Sequence, residues 1–233
     1  MIYKSVLIIS DTHIPYHVPE LMDFLKLLKK KYKPDRIIHI GDEVDKHAMS
    51  FHDSDPDLPS AGDELKQSLP IISDLEYLFP EMDLLDSNHG SLVFRRAYKH
   101  SIPKAYLKDY KDYLQVKNWK WHDDLTINTP CGPVYFCHGK MADVFKLAQC
   151  MGMSTVQGHY HSSYSIKYFG NSLGLYYGLQ VGCLVDKDSL AFRYNKTQKA
   201  RPIIGTAVII DGQPRLVPMI LDSKGDWIGK IIF

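Results

Sequence analysis

Val6-Leu7-Ile8-Ile9-Ser10-Asp11-Thr12-His13 and, downstream, Arg36-Ile37-Ile38-His39-Ile40-Gly41-Asp42 decide the fold class. Each is a short β-branched apolar run that stops at a polar, metal-type ligand. Such a run reads as a strand covered on both faces. Between them, residues 19–31 carry Leu21, Phe24, Leu25 and Leu28 at helical spacing, with Pro19 suited to a first turn. Strand, helix, strand predicts a parallel crossover. Lys29-Lys30-Lys31 would close that helix, either as a solvated end favoured by the helix dipole or as a phosphate-binding patch.

The pattern continues outward. A helix is expected over 62–79 and a strand over 82–85, which ends at Ser87-Asn88-His89. Residues 91–114 read as one helical zone in which Arg95, Arg96, Lys99, Lys104 and Lys108 interleave with Tyr98, Tyr106, Tyr110 and Tyr113. Basic residues mixed with tyrosines suit phosphates and stacked bases. They equally suit an amphipathic pair with tyrosine on the core and lysine in water. Val134-Tyr135-Phe136-Cys137 leads to His138, a helix is expected over 143–151, and residues 153–157 lead to Gly158-His159-Tyr160-His161. From residue 163 on, alternating runs separated by Gly-Asn, Asp-Gly and Lys-Gly read as antiparallel hairpins. An α/β first half and a β-rich second half fit one domain over 1–233. Its layers would form an α/β/β/α sandwich of two mixed sheets flanked by helices.

The 28 basic and 27 acidic residues give a net charge of +1, so nucleic-acid contact would need a local patch. No run is long enough for a membrane span and the N-terminus lacks a signal-peptide pattern. Cys131, Cys137, Cys150 and Cys183 form no Cys-x-x-Cys pair, and are expected to be reduced, mostly buried thiols of a cytoplasmic protein. Cys137 reads as an apolar strand residue rather than a soft ligand.

The strand ends carry the chemistry. In an extended segment, Asp11 and His13 lie two apart and point to one side, so both can reach one cation; a surface turn capped by Asp11 is the alternative. Carboxylate with imidazole suits manganese, iron or zinc better than calcium. Asp42 has two oxygens and could bridge two ions. Asn88 adds a neutral amide oxygen, and His138, His159 and His161 add nitrogens. In an open α/β sheet these positions would converge at the carboxyl ends of the strands. His17, His39, His47, His52, His100 and His122 lie outside this order and read as ordinary core or surface histidines. Residues 43–57, with His47 and His52, form a polar stretch near Asp42 that could line a pocket.

The ordered set Asp-x-His, Gly-Asp, Asn-His, His-Gly and Gly-His-x-His resembles the calcineurin-like metallophosphoesterases, over roughly residues 5–163. The resemblance implies two divalent ions, most simply manganese, with iron, zinc or nickel as alternatives. Asp11, His13 and His161 would hold one. Asn88, His138 and His159 would hold the other, and Asp42 would bridge them. His89 would serve as general acid at the leaving oxygen, with Asp42 as the second residue of the reaction centre. Three residues depart from the family pattern: Ser87 stands where glycine is usual, Gly90 where an acid usually orients the histidine, and Cys137 where glycine usually precedes His138, although Gly139 follows. The resemblance implies a phosphoester hydrolase, as a phosphodiesterase or nuclease acting on nucleotides or nucleic acid. A phosphomonoesterase with Arg95 or Arg96 clamping the phosphate is an alternative. A protein-binding scaffold is another, and the complete set of seven ligands argues against it.

Overall fold

In this computed structural model, residues 1–51, 55–189 and 200–232 are described; His52, expected to be an ordinary core or surface histidine, lies outside them. In chain order the strands are β1 (Ser5–Ile9), β2 (Arg36–His39), β3 (Asp83–Leu85), β4 (Lys120–His122), β5 (Leu125–Thr129), β6 (Gly132–Cys137), β7 (Ser154–Gln157), β8 (Ser165–Asn171), β9 (Gly174–Gln180), β10 (Gly205–Ile210) and β11 (Gln213–Pro218). The helices are α1 (Leu21–Tyr32), α2 (Ala61–Leu78), α3 (Leu92–Lys99), α4 (Tyr110–Leu114) and α5 (Val144–Met151). One sheet has the order β11-β10-β1-β2-β3-β4 and the other β5-β6-β7-β9-β8. Both are mixed. β1, β2, β3 and β4 run parallel while β10 and β11 pair antiparallel, and β6, β7 and β9 run parallel between antiparallel β5 and β8.

Alternation along β1 shows how the layers stack. Leu7 and Ile9 pack with Leu21, Phe24, Leu25 and Leu28 of α1 and Ile72 and Leu75 of α2. Val6 and Ile8 turn the other way, onto Phe136, Val156 and Leu179 of the second sheet. Tyr135 and Cys137 then face Leu147 of α5 on the far side. Three apolar interfaces separate four layers, helix, sheet, sheet, helix. Because β1 is buried on both faces, four of its five residues are fully apolar and inaccessible. Burying each such side chain stabilises by about 1.5–3 kcal/mol. The expected sandwich of two mixed sheets with flanking helices is what the chain forms.

Local signals set the helix ends. Ser60 caps α2 by accepting the Asp63 N–H at 3.3 Å, and Asp143 caps α5 by accepting the Phe145 N–H at 2.9 Å. Pro19 precedes α1 rather than entering it, since Glu20 is the cap residue. The expected continuous helix over 91–114 is not formed. It breaks into α3, a 3-10 turn at Lys104–Tyr106 and α4, with Pro103 extended between them. Tyr110 and Tyr113 pack on the first apolar cluster, whereas Tyr98 and Tyr106 are 87% and 81% exposed. The tyrosines therefore split between the two readings of that zone. Cys137 and Cys183 are buried, but Cys131 and Cys150 are exposed, so the expectation of mostly buried thiols holds for half of them. Burial pushes the Cys137 thiol up to about 12, and the residue packs with Tyr135 and Leu147 as an apolar strand residue. Among the described residues, no helix is long and apolar enough to cross a membrane.

Candidate metal centre

Five parallel strands deliver the polar residues to one end of the sandwich. Asp11 and His13 follow β1, Asp42 follows β2, Asn88 and His89 follow β3, His138 follows β6, and His159 and His161 follow β7. The backbone there is unusual. Asp11, His13, Asp42 and His159 have φ of 50°, 46°, 55° and 70°. Left-handed conformation is uncommon away from glycine and costs about 1 kcal/mol or more per residue, so four instances in one site mark a place held under constraint by its surroundings. Asp11 and His13 thus do not converge by strand alternation, as the sequence reading supposed. Two left-handed kinks turn them inward.

Both carboxylates are oriented in the same way. Asp11 Oδ2 accepts the His159 N–H at 3.0 Å and the Ser10 hydroxyl, leaving Oδ1 facing His161 Nε2 at 3.1 Å. Asp42 Oδ1 accepts the His89 N–H at 3.0 Å. Its other oxygen, Oδ2, lies 3.2 Å from His138 Nε2 and 3.5 Å from His13 Nε2. One Asp42 oxygen therefore sits between two histidines that belong to different clusters. Ligand atoms of Asp11, His13 and His161 lie within 4.8 Å of one another, as do those of Asp42, His138 and His159, and those of His13, Asp42 and His89.

The donor chemistry fits cations. His138 Nδ1 lies 2.9 Å from the Ile40 carbonyl and must donate to it, so neutral His138 presents a bare lone pair at Nε2. Facing that lone pair are Asn88 Oδ1 at 2.7 Å and Asp42 Oδ2 at 3.2 Å, neither of which has a hydrogen to give, with His159 Nδ1 at 3.2 Å. Such a convergence of acceptors is favourable only around positive charge. The proton affinities agree. Burial opposes the His138 imidazolium, yet Asp42 carries its pKa up to about 9. Burial would raise Asp11 and Asp42, but hydrogen bonds from His13 and His161 lower Asp11, and the His138 and His89 charges lower Asp42, both well below the usual carboxylate range. A mixed imidazole, carboxylate and amide set suits manganese, iron, nickel or zinc.

Close packing supports the geometry. A Cβ on Gly41 would stand 2.6 Å from Ser87 Cβ and 2.8 Å from His138 Nδ1. A Cβ on Gly158 would strike Ser10 Oγ and come within 2.6 Å of Asp11 Oδ2. At both places glycine admits a neighbouring ligand-bearing segment.

Several contributors have no signal in the ligand pattern. Asp45 Oδ1 lies 2.5 Å from His13 Nδ1, and the Asp45 carbonyl accepts from His89 Nδ1, so one residue sets both rings. The acid missing at position 90 thus has a counterpart here. Ser87 and Gly90 are linked: Ser87 Oγ accepts the N–H of Asp42 at 3.0 Å and of Gly90 at 2.9 Å, and a Cβ at Gly90 would fall 2.7 Å from that oxygen. A hydroxyl at 87 therefore disfavours any side chain at 90, an acid included. Lys46 is buried and donates to the His89 carbonyl (3.0 Å), the Gly90 carbonyl (3.3 Å) and Tyr110 Oη (2.6 Å), and Tyr110 donates to Glu43. These contacts tie residues 43–46 to the loop that carries Asn88 and His89. The spacing of acids in Asp42-Glu43-Val44-Asp45 was the available clue.

The two arginines are placed differently from the expected clamp. Arg96 Nε donates to Met49 O at 2.8 Å and its Nη2 to Ser50 O. Arg95 reaches Asn88 O at 3.4 Å and lies over the Phe51 ring.

A model of the calcineurin-like phosphoesterase family matches residues 4–171. No curated protein matches in sequence. Among solved structures, Vps29 from Chaetomium thermophilum is 10% identical, covering 99% of this chain and 94% of its own, with a TM-score of 0.47. An archaeal phosphodiesterase is 15% identical, covering 98% and 99%, with a TM-score of 0.44. A metallophosphoesterase from Sphaerobacter thermophilus is 16% identical, covering 91% and 86%, with a TM-score of 0.40.

Proposed function

Since the chain belongs to the calcineurin-like phosphoesterase family, we propose that it is a metal-dependent phosphoester hydrolase acting on diesters. The observation that carries this reading is Asp42 Oδ2 set between His138 Nε2 and His13 Nε2, each in its own cluster of ligand atoms. Asp11, His13 and His161 would hold one divalent ion, and Asn88, His138 and His159 the other, with Asp42 shared. When bound, such a pair acidifies water and neutralises phosphoryl oxygens.

The protein's own groups supply the rest. His89 Nδ1 is committed to the Asp45 carbonyl, which leaves Nε2 as the ring atom available to a substrate. As general acid, a doubly protonated His89 would give its Nε2 proton to the leaving oxygen as the ester bond breaks and revert to the Nδ1–H tautomer. The His89 N–H on Asp42 Oδ1 keeps acid and shared ligand in fixed register. Asp45 and Lys46 are positioning residues, acting through His13, His89 and the loop at 88–90. A diester is favoured over a monoester because the Arg96 fork is spent on the Met49 and Ser50 carbonyls, which removes one of the two arginines that could clamp a dianionic terminal phosphate. A cytoplasmic location, expected from the cysteines, belongs to the same proposal.

Manganese-loaded protein should turn over bis(p-nitrophenyl) phosphate faster than p-nitrophenyl phosphate. The reverse preference would install the monoesterase reading. No turnover of either, with no bound metal, would install the scaffold.

A further inference from the structure

A groove of about 560 Å³ is lined by Phe51, Phe94, Arg95, Tyr98, Lys99 and Lys104 among others. Its size is that of a small-molecule site. Its surface combines two properties. Phe51 and Tyr98 are 42% and 87% exposed, and Phe94 is half-buried. The rings carry a dense cationic coat: Arg95, Arg96 and Lys99 lie 4.9, 4.3 and 5.4 Å from the Phe51 ring centre, and Lys104 lies 5.5 Å from that of Phe94. Among the described residues, none that lines the groove is a carboxylate. A chain with a net charge of +1 has therefore gathered at least three cations in one place, around flat apolar faces.

We propose that this groove holds consecutive nucleotides of a single-stranded nucleic acid, with a base stacked on Phe51 and the backbone phosphates on Arg95, Lys99 and Lys104. The inference rests on the diesterase reading and names its substrate class. A ligand matching this surface must be anionic and must present flat rings. An acidic peptide has the charge without the rings, and a duplex keeps its bases stacked on one another. An unpaired strand offers both at short intervals. Arg95 connects groove and centre, because its guanidinium lies over Phe51 and donates to the Asn88 carbonyl. A strand stacked on Phe51 is thereby led toward Asn88 and His89.

The test is anisotropy of a labelled, phosphorothioate-linked dT octamer on the metal-loaded protein at low salt, with an abasic octamer of equal charge and poly-glutamate as competitors. The abasic strand should compete at least about tenfold more weakly than unlabelled dT octamer, because each stacked base is lost, and poly-glutamate more weakly still. Phe51→Ala should weaken dT binding by about 5- to 150-fold. Lys99→Glu should weaken it and flatten its salt dependence by about one phosphate contact. Equal competition by the abasic strand or by poly-glutamate overturns the proposal. So does an absence of dT binding, or wild-type affinity in both variants. Turnover of bis(p-nitrophenyl) phosphate by the unaltered protein is scored separately. Turnover without base-dependent binding removes the groove and keeps the diesterase, and base-dependent binding without turnover does the opposite.

Discussion

Replacing Gly90 by alanine tests whether Ser87 and Gly90, two of the departures from the family pattern, form one packing unit. The new Cβ would lie 2.7 Å from Ser87 Oγ and 3.3 Å from both Ser87 N and Tyr110 Oη. Ser87 cannot swing away freely, because Oγ accepts the N–H groups of Asp42 and Gly90. Overpacking of this kind costs about 1–3 kcal/mol. The lost flexibility of the unfolded chain returns about 0.4–1 kcal/mol, since Gly90 is not at positive φ. Gly90→Ala should therefore destabilise by about 1–2 kcal/mol. Ser87→Gly removes the clashing oxygen but strands two N–H groups, at about 1–3 kcal/mol each if they stay dry. In the double variant the steric part vanishes, so the two changes should couple favourably by about 1–2 kcal/mol. Urea unfolding of the four proteins at one metal concentration reads this directly. Gly90→Ala as stable as the parent, or a strictly additive double variant, would refute the linkage.

His89→Ala should lower diester turnover about 10²- to 10⁴-fold while metal content stays near that of the parent, measured by steady-state kinetics with elemental analysis; loss of the metals would make His89 a ligand instead of the acid. Burial and the Asp45 charge raise the Glu64 carboxyl from 4.5 to about 7. Its protonated form is the one the fold favours, so its contribution is full below pH 4.5 and is lost as pH rises through 7. Glu64→Gln should thus gain up to about 3 kcal/mol on the parent between pH 4.5 and 8, and urea melts showing the same difference at both pH values would contradict that sign. Manganese at about 100 times its Kd should stabilise by about 2.7 kcal/mol over chelator-treated protein, a Tm rise of roughly 5–10 °C in a thermal scan. An unchanged Tm would speak against ions bound to the folded state.

The succession of β1, α1, β2 and β3 and their polar ends was legible because β1 is a buried, unbroken apolar run and β2 sets Ile37 and Ile38 between Arg36 and His39. The candidate ligand positions were legible because each stands shortly past a strand. What makes Asp11 and His13 converge was not. Two consecutive left-handed kinks leave no mark in a two-apart spacing, and strand alternation offered a plausible but different reason. Asp45 was missed because it acts on His13 and His89 from a loop whose partners come from three separate segments. Lys46 carries no local pattern, since its partners, Tyr110 and the His89 and Gly90 carbonyls, lie 43 to 64 positions away. The zone 91–114 has helical periodicity throughout. Pro103 ends the local repeat there, and tertiary packing takes only Tyr110 and Tyr113 inward. β4 and β5 are short and partly exposed, and so carry little apolar signal.

The central claim is that Asp42 joins two cation positions, and the most direct measurement is metal stoichiometry by elemental analysis, on the parent and on Asp42→Asn, after manganese loading and gel filtration. The account predicts two divalent ions per parent chain, with bis(p-nitrophenyl) phosphate turnover, and fewer ions with turnover at least about 100-fold lower in Asp42→Asn. A parent chain that retains no ion, or an Asp42→Asn variant that keeps both ions and full activity, would contradict it.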